Sequence, residues 1–194
     1  MSGKLVTAGV LVAGLLAGAA SGWFTLQNGM VQGESYSGWS GSKVTGSVDA
    51  DPWTRARVAV SGLLALNKSQ AIYFSRNTDD SGARLREDCR YRVSGGAMPA
   101  RWWSITVYAA DNYLPLNDDD ALSFDQTEAQ PDGKSEWSGL LAPKRPEGEP
   151  WASTSKAGDY DITLRLYQPT AAAQADYAAI PMPKVTKLDC GGAA

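Results

Sequence analysis

Residues 102–109 read Trp-Trp-Ser-Ile-Thr-Val-Tyr-Ala, and the fold turns on this stretch. Six of its eight residues are β-branched or aromatic, and the stretch alternates with a period of two. Trp103, Ile105 and Val107 face one way, while Trp102, Ser104, Thr106 and Tyr108 face the other. A second strand follows the same rule over residues 160–168, where Ile162, Leu164 and Leu166 alternate with Thr163, Arg165 and Tyr167. Residues 71–75 and 84–93 read as a hairpin closed by the turn Asn77-Thr78-Asp79-Asp80-Ser81-Gly82. In its second arm Leu85, Cys89, Tyr91 and Val93 share the apolar face, and Arg84, Arg86, Asp88, Arg90 and Arg92 share the other. Turn signals recur at 111–112, 117–120 and 131–133, and a proline-rich loop covers 142–150. Short strands at this spacing predict a mainly β protein, a jelly-roll-like β-sandwich.

Upstream the pattern changes. Asp51 suits a helix N-cap and Pro52 the first helical position, so one short helix is expected from Pro52 to near Asn67, with Val58, Leu63, Leu64 and Leu66 on its apolar side. Residues 27–48 are rich in Gly and Ser and read as an extended connector. Tyr36 and Trp39 within it are aromatics that a purely flexible linker does not need, and they can dock on the domain or on a partner. The expected organisation is an anchor over 1–24, a connector over 25–50 and a β domain over 51–194.

Residues 5–22, LVTAGVLVAGLLAGAASG, carry no charge, follow Lys4 and precede Trp23 and Phe24. As a helix they would cover about 27 Å, close to the hydrocarbon thickness of a bilayer, with the two aromatics as interfacial anchors. A retained transmembrane helix is the expectation. Ala17-Gly18-Ala19 also has the small-x-small form of a signal-peptidase site, and either reading implies export. Gly14, Gly18 and Gly22 recur every fourth residue, placing small side chains on one helix face that another transmembrane helix can approach closely. The alternative is the ordinary Gly and Ala content of export signals. Lys4 precedes the span and no Lys or Arg follows until Lys43, which puts the N-terminus in the cytoplasm and the domain in the periplasm of an inner-membrane protein.

With no histidine, Ser/His/Asp and Cys/His nucleophilic systems and the commonest zinc sites are excluded. A net charge of −3 supplies no basic field, so nucleic acid is not an expected partner. No cofactor signature is present, and no small-molecule ligand is specified. Cys89 and Cys190 form an even pair in an exported chain and are expected to form a disulfide; two free thiols, or pairing of Cys190 with another chain, are the alternatives.

Several segments together resemble one family. They are Asp51-Pro52-Trp53-Thr54-Arg55-Ala56, the turn Asp79-Asp80-Ser81-Gly82 with Tyr91 beyond it, Pro99 with Arg101-Trp102-Trp103-Ser104-Ile105-Thr106-Val107-Tyr108, and Leu164-Arg165-Leu166-Tyr167-Gln168-Pro169. In this order they resemble the bacterial domain-of-unknown-function family 1214 over residues 51–185. The resemblance implies a jelly-roll-type sandwich in an envelope protein, often accompanied by family 1254. It implies no catalytic residue.

Two surfaces are candidate binding faces. Arg84, Arg86, Arg90 and Arg92 would line one strand face and suit an acidic protein surface or lipid head groups, unless they serve only to keep a sheet edge soluble. Trp102 and Tyr108, with Ser104, Thr106, Arg165 and Tyr167, mix aromatic planes with hydroxyls as a glycan or small-ligand groove would, unless they form a second buried layer. Asn77, Asp79, Ser81 and Asp88 partly mimic a calcium loop and residues 117–120 carry three aspartates, but both read better as turns than as metal sites. The leading expectation is a non-catalytic accessory subunit of a membrane complex, engaging the transmembrane helices of another protein. The alternatives are a module for envelope glycan or lipid and, further behind, a hydrolase using carboxylates such as Asp118 and Asp120.

Overall fold

The computed structural model describes residues 3–28, 33–47, 50–60 and 66–191. Helix α1, Gly3–Asn28, is continuous, and its apolar portion Gly3–Phe24 has 22 residues, about 33 Å of helix. None of that apolar window is buried against the rest of the chain, and Leu5, Leu15, Trp23 and Phe24 are all exposed.

Among the described residues beyond α1, ten strands form two sheets. They are β1 Glu34–Tyr36, β2 Trp39–Gly41, β3 Ala71–Arg76, β4 Cys89–Gly95, β5 Ala100–Ala109, β6 Ser123–Asp125, β7 Trp137–Ala142, β8 Trp151–Ser153, β9 Tyr160–Pro169 and β10 Lys184–Cys190. The large sheet has the order β1-β2-β3-β9-β5-β6 and the small one β10-β4-β7-β8, with β7 and β8 parallel. The sheets do not close into a barrel. Their inner faces meet in one core, where the Trp103 and Trp137 rings lie 4.0 Å apart and Tyr91 meets Tyr160 edge-on. Alternation along β5 and β9 does what the sequence promised: Trp103, Ile105, Val107, Ile162, Leu164 and Leu166 are buried. Gly139 keeps this packing possible, because a Cβ there would sit 2.7 Å from the Phe124 ring.

Three features differ from expectation. First, β3 and β4 are not a hairpin. β3 pairs with β9 in the large sheet and β4 with β10 and β7 in the small one, so residues 77–88 carry the chain across the sandwich. The crossing is held locally: Asp79 Oδ1 accepts hydrogen bonds from the backbone N–H of Ser81 at 2.8 Å and of Ala83 at 3.1 Å, and from the Ser81 hydroxyl. Arg76, buried at 5% exposure, donates to the Thr78 carbonyl and pairs with Asp80, which in turn accepts from the Val185 N–H. Turn residues looked like a hairpin tip, but the buried Leu85 faces the core and draws the returning segment into the gap between the sheets.

Second, the connector range contains structure. β1 and β2 turn through Ser37 (φ 50°) and Gly38 (φ 83°), a two-residue turn with both central residues left-handed, and β2 extends the large sheet beside β3. Trp39 is fully buried, its indole N–H donating to the Pro183 carbonyl at 2.8 Å, and Tyr36 packs on Phe74 and Tyr177. These aromatics dock on the domain. Third, more than one short helix is present: α2 Pro52–Val60, α3 Gln126–Ala129, α4 Ala171–Ala175 and a 3-10 turn at Tyr177–Ala179. α2 begins where expected, with the Asp51 carboxylate accepting from the N–H groups of Trp53 and Thr54. Its expected continuation through Leu63 and Leu64 lies outside the described residues. α3 and α4 are too short to leave a periodic signal; Asp125 with Glu128 caps one as a capping box and Thr170 caps the other.

Candidate functional site

The outer face of the large sheet brings together side chains that the sequence scatters over a hundred residues. The strand register sets Tyr167 opposite Trp102 and Arg165 opposite both Tyr73 and Ser104, and puts Thr163 between Ser75 and Thr106. The last of these rows continues to Ser40 and Ser35 on one side and Ser123 on the other, so hydroxyl side chains cross all six strands. Ser75 Oγ and Thr163 Oγ1 are 3.3 Å apart within it. Among the described residues no second layer covers this face: Trp102, Thr106, Tyr108, Arg165 and Tyr167 are half-buried, whereas Ser104 and Thr163 are buried.

At one end of the face lies an open groove of about 620 Å³, lined by Leu66, Ser69, Gln70, Arg101, Trp102, Tyr167 and Gln168. The Trp102 and Tyr167 rings stand 5.1 Å apart at 50°, and the Trp102 indole N–H reaches Thr127 Oγ1 at 3.2 Å. Gln168 is held at φ 46°, a left-handed conformation unusual for a residue with a side chain, and its Oε1 accepts from Arg101 Nη1 at 3.1 Å. Arg165 sits between the Tyr73 and Tyr108 rings, 5.9 Å and 5.4 Å from their centres, and donates to Thr106 Oγ1 at 2.8 Å and to the Tyr108 hydroxyl.

The arginine stripe is electrostatically different. Arg84 pairs with Asp161, Arg86 with Asp88, Arg90 with Asp189 and Arg92 with Glu149. The four do not share one strand either: Arg90 and Arg92 are on β4, while Arg84 and Arg86 lie in the crossing segment. The Asp189 pair is bidentate; its hydrogen bond holds the Asp189 carboxyl below the usual range and raises the Arg90 guanidinium.

Cys89 and Cys190 lie opposite one another on β4 and β10 and are joined by a disulfide, so the C-terminal strand is clamped to the small sheet. Gly14, Gly18 and Gly22 occupy α1, and a Cβ added at any of them would meet nothing within 4 Å. Asp79, in the segment that mimicked a calcium loop, spends Oδ1 on its own turn; its Oδ2 is buried without a hydrogen bond, 4.0 Å from Lys187 Nζ. Burial works to raise this carboxyl, but the hydrogen bonds from Ser81 and Ala83, aided by Lys187, outweigh it and hold it below the usual range. In the aspartate run, Asn117 donates to the Ser155 carbonyl at 2.8 Å and Asp119 accepts from Ser153 Oγ, which ties the loop to β8.

Sequence reading grouped Trp102, Ser104, Thr106, Tyr108, Arg165 and Tyr167 as one face but missed Arg101, Gln168, Tyr73 and the serines of the hydroxyl row. Tyr73 and Ser75 were legible from parity alone, because Ile72 and Phe74 fix the opposite face of β3 as the core side. Gln168 carried no signal, since its strained backbone is set by the tertiary contacts at the end of β9.

These features define a class: a disulfide-clamped domain of two packed β-sheets on an apolar N-terminal helix of membrane-crossing length. Within that class the chain belongs to the DUF1214 family, whose model, described as a protein of unknown function, matches residues 70–171, just over half of the chain. The match takes in β3 through β9 and leaves out the 51–56 segment. The VPA0106 protein from Vibrio parahaemolyticus has a similar fold, with a TM-score of 0.58 at 20% identity. That alignment covers 73% of this chain but only 36% of the Vibrio protein, so this chain spans about a third of its length. A putative uncharacterized protein from Burkholderia cenocepacia aligns over 93% of this chain and 52% of its own at 17% identity, with a TM-score of 0.39. No curated protein matches the sequence.

Proposed function

We propose that this protein is a non-catalytic accessory subunit of a larger bacterial inner-membrane complex, with its N-terminus in the cytoplasm and its β domain in the periplasm. The observation that carries the reading is the exposure of α1: its apolar stretch is long enough to span a bilayer, and none of that window is buried inside the protein. Gly14, Gly18 and Gly22 leave one face of it open to close approach by the transmembrane helix of another protein. The disulfide favours an oxidising compartment for the domain. Lys4 ahead of the span favours the stated orientation.

The test is extraction of the full chain from its native membrane in mild detergent, beside a variant carrying Gly14→Ile and Gly18→Ile. The expected result is co-migration with a second membrane protein that the variant loses while keeping its β domain folded. A lone monomer, or a variant that retains the same partner, contradicts the reading.

A further inference from the structure

We propose that the outer face of the large sheet is a binding site for an acidic saccharide, a sugar chain bearing carboxylate groups. The inference goes beyond the helix reading and stands whether or not α1 has a partner.

Charge decides the choice. The arginines of the small-sheet stripe are each paired with a carboxylate. Arg165 in the middle of the large-sheet face is held only by uncharged groups, Thr106 and Tyr108, and Arg101 at the groove by the Gln168 amide; among the described residues neither makes an ion pair. The carboxylates nearest in the register pair with neither guanidinium among the described residues. Asp161, opposite Tyr108, pairs with Arg84 at 2.7 Å, and Asp125, opposite Ser104, accepts the Thr127 N–H at 2.7 Å as a helix cap. A guanidinium without an ion pair on the face and a second at the groove that ends it suit an anion, and their planar forks match carboxylate geometry.

The surroundings select the rest of the ligand. Trp102 and Tyr167 present ring surface at the groove, suited to the apolar face of a pyranose ring. The row Ser35, Ser40, Ser75, Thr163, Thr106 and Ser123 offers hydroxyls that both donate and accept, which suits a sugar's rim of hydroxyls. Six strands give a face about 24 Å wide, so the surface accommodates a chain of sugars rather than one ring. A lipid tail would need an aliphatic floor, and the aromatic and hydroxyl side chains here do not make one.

The experiment is calorimetric titration of the full chain in detergent with three probes: tetragalacturonic acid, its carboxyl-reduced neutral tetrasaccharide, and inorganic phosphate. The acidic tetrasaccharide should bind at least about tenfold more tightly than either other probe. Arg165→Gln and the fully surface-lying Arg101→Gln should each weaken it about tenfold or more, and Arg90→Gln on the stripe should leave it unchanged. Arg101→Gln keeps the test valid if Arg165→Gln disturbs the sheet. The proposal is overturned if the acidic sugar does not bind, if neutral sugar or phosphate binds equally well, if Arg101→Gln binds like the wild type, or if Arg90→Gln loses as much affinity as the face variants.

Discussion

The two outer faces of this sandwich carry similar side chains and opposite electrostatic states. On the small sheet and the adjoining crossing segment, arginine charge is cancelled locally by Asp88, Asp161, Asp189 and Glu149. On the large sheet, Arg165 and Arg101 rest on hydroxyl, ring and amide, and among the described residues neither makes an ion pair. A count of arginines along the sequence favours the first face as the binding surface, whereas the partners in space favour the second. What matters for a charged ligand is the charge left over, because an arginine already paired must give up one carboxylate to take another.

Substitutions on either side of this divide should separate interior from surface. Trp102 and Trp103 are neighbours on β5 that face opposite ways, one half-buried at the groove and one 1% exposed against Trp137. Trp103→Ala should cost about 3–5 kcal/mol in chemical denaturation. Cys190→Ser, or full reduction, should cost about 2–4 kcal/mol by releasing the loop that the disulfide closes between positions 101 residues apart. Asp79→Ala should cost about 1–3 kcal/mol, since it leaves the Ser81 and Ala83 N–H groups without their acceptor.

The same carboxylate sets an acid limit. Its folded-state pKa is lowered, so its contribution is fully present above the ordinary carboxyl value of about 3.9 and is lost as the pH falls through the lower folded value. Asp79→Asn should flatten stability over that acid range, measured as melting temperature against pH. Trp102→Ala should cost less than about 1.5 kcal/mol and act on ligand binding instead, because its ring lies at the surface. Arg90→Gln should leave the melting temperature where it is, since both partners of its ion pair are about half exposed.

How much of this was legible depended on whether the information was local. Alternation in residues 102–109 and 160–168 identified β5 and β9 and their buried sides, because period-two patterning is set by one face meeting the core. Asp51-Pro52 marked the start of α2, because capping is settled within four residues. The pairing of β3 was misread because a turn sequence states that the chain bends without stating which strand receives it. Phe74 and Ile72 satisfy the core equally well beside β9 as they would beside β4. The strands β1 and β2 were hidden in a Gly/Ser-rich stretch, since three-residue edge strands leave almost no periodicity and only Tyr36 and Trp39 hinted at burial. The candidate face was half visible: parity gave Trp102 and Tyr108, but the state of each arginine depended on acids up to 99 residues away, as with Arg90 and Asp189.

The contrast between the faces can be read in one NMR titration of the full chain in micelles, following arginine Nε–H and tryptophan indole signals as tetragalacturonic acid is added. The account predicts that Arg165, Arg101 and Trp102 shift together while Arg84, Arg86, Arg90 and Arg92 stay still. Shifts confined to the four stripe arginines, or equal on both faces, would contradict it.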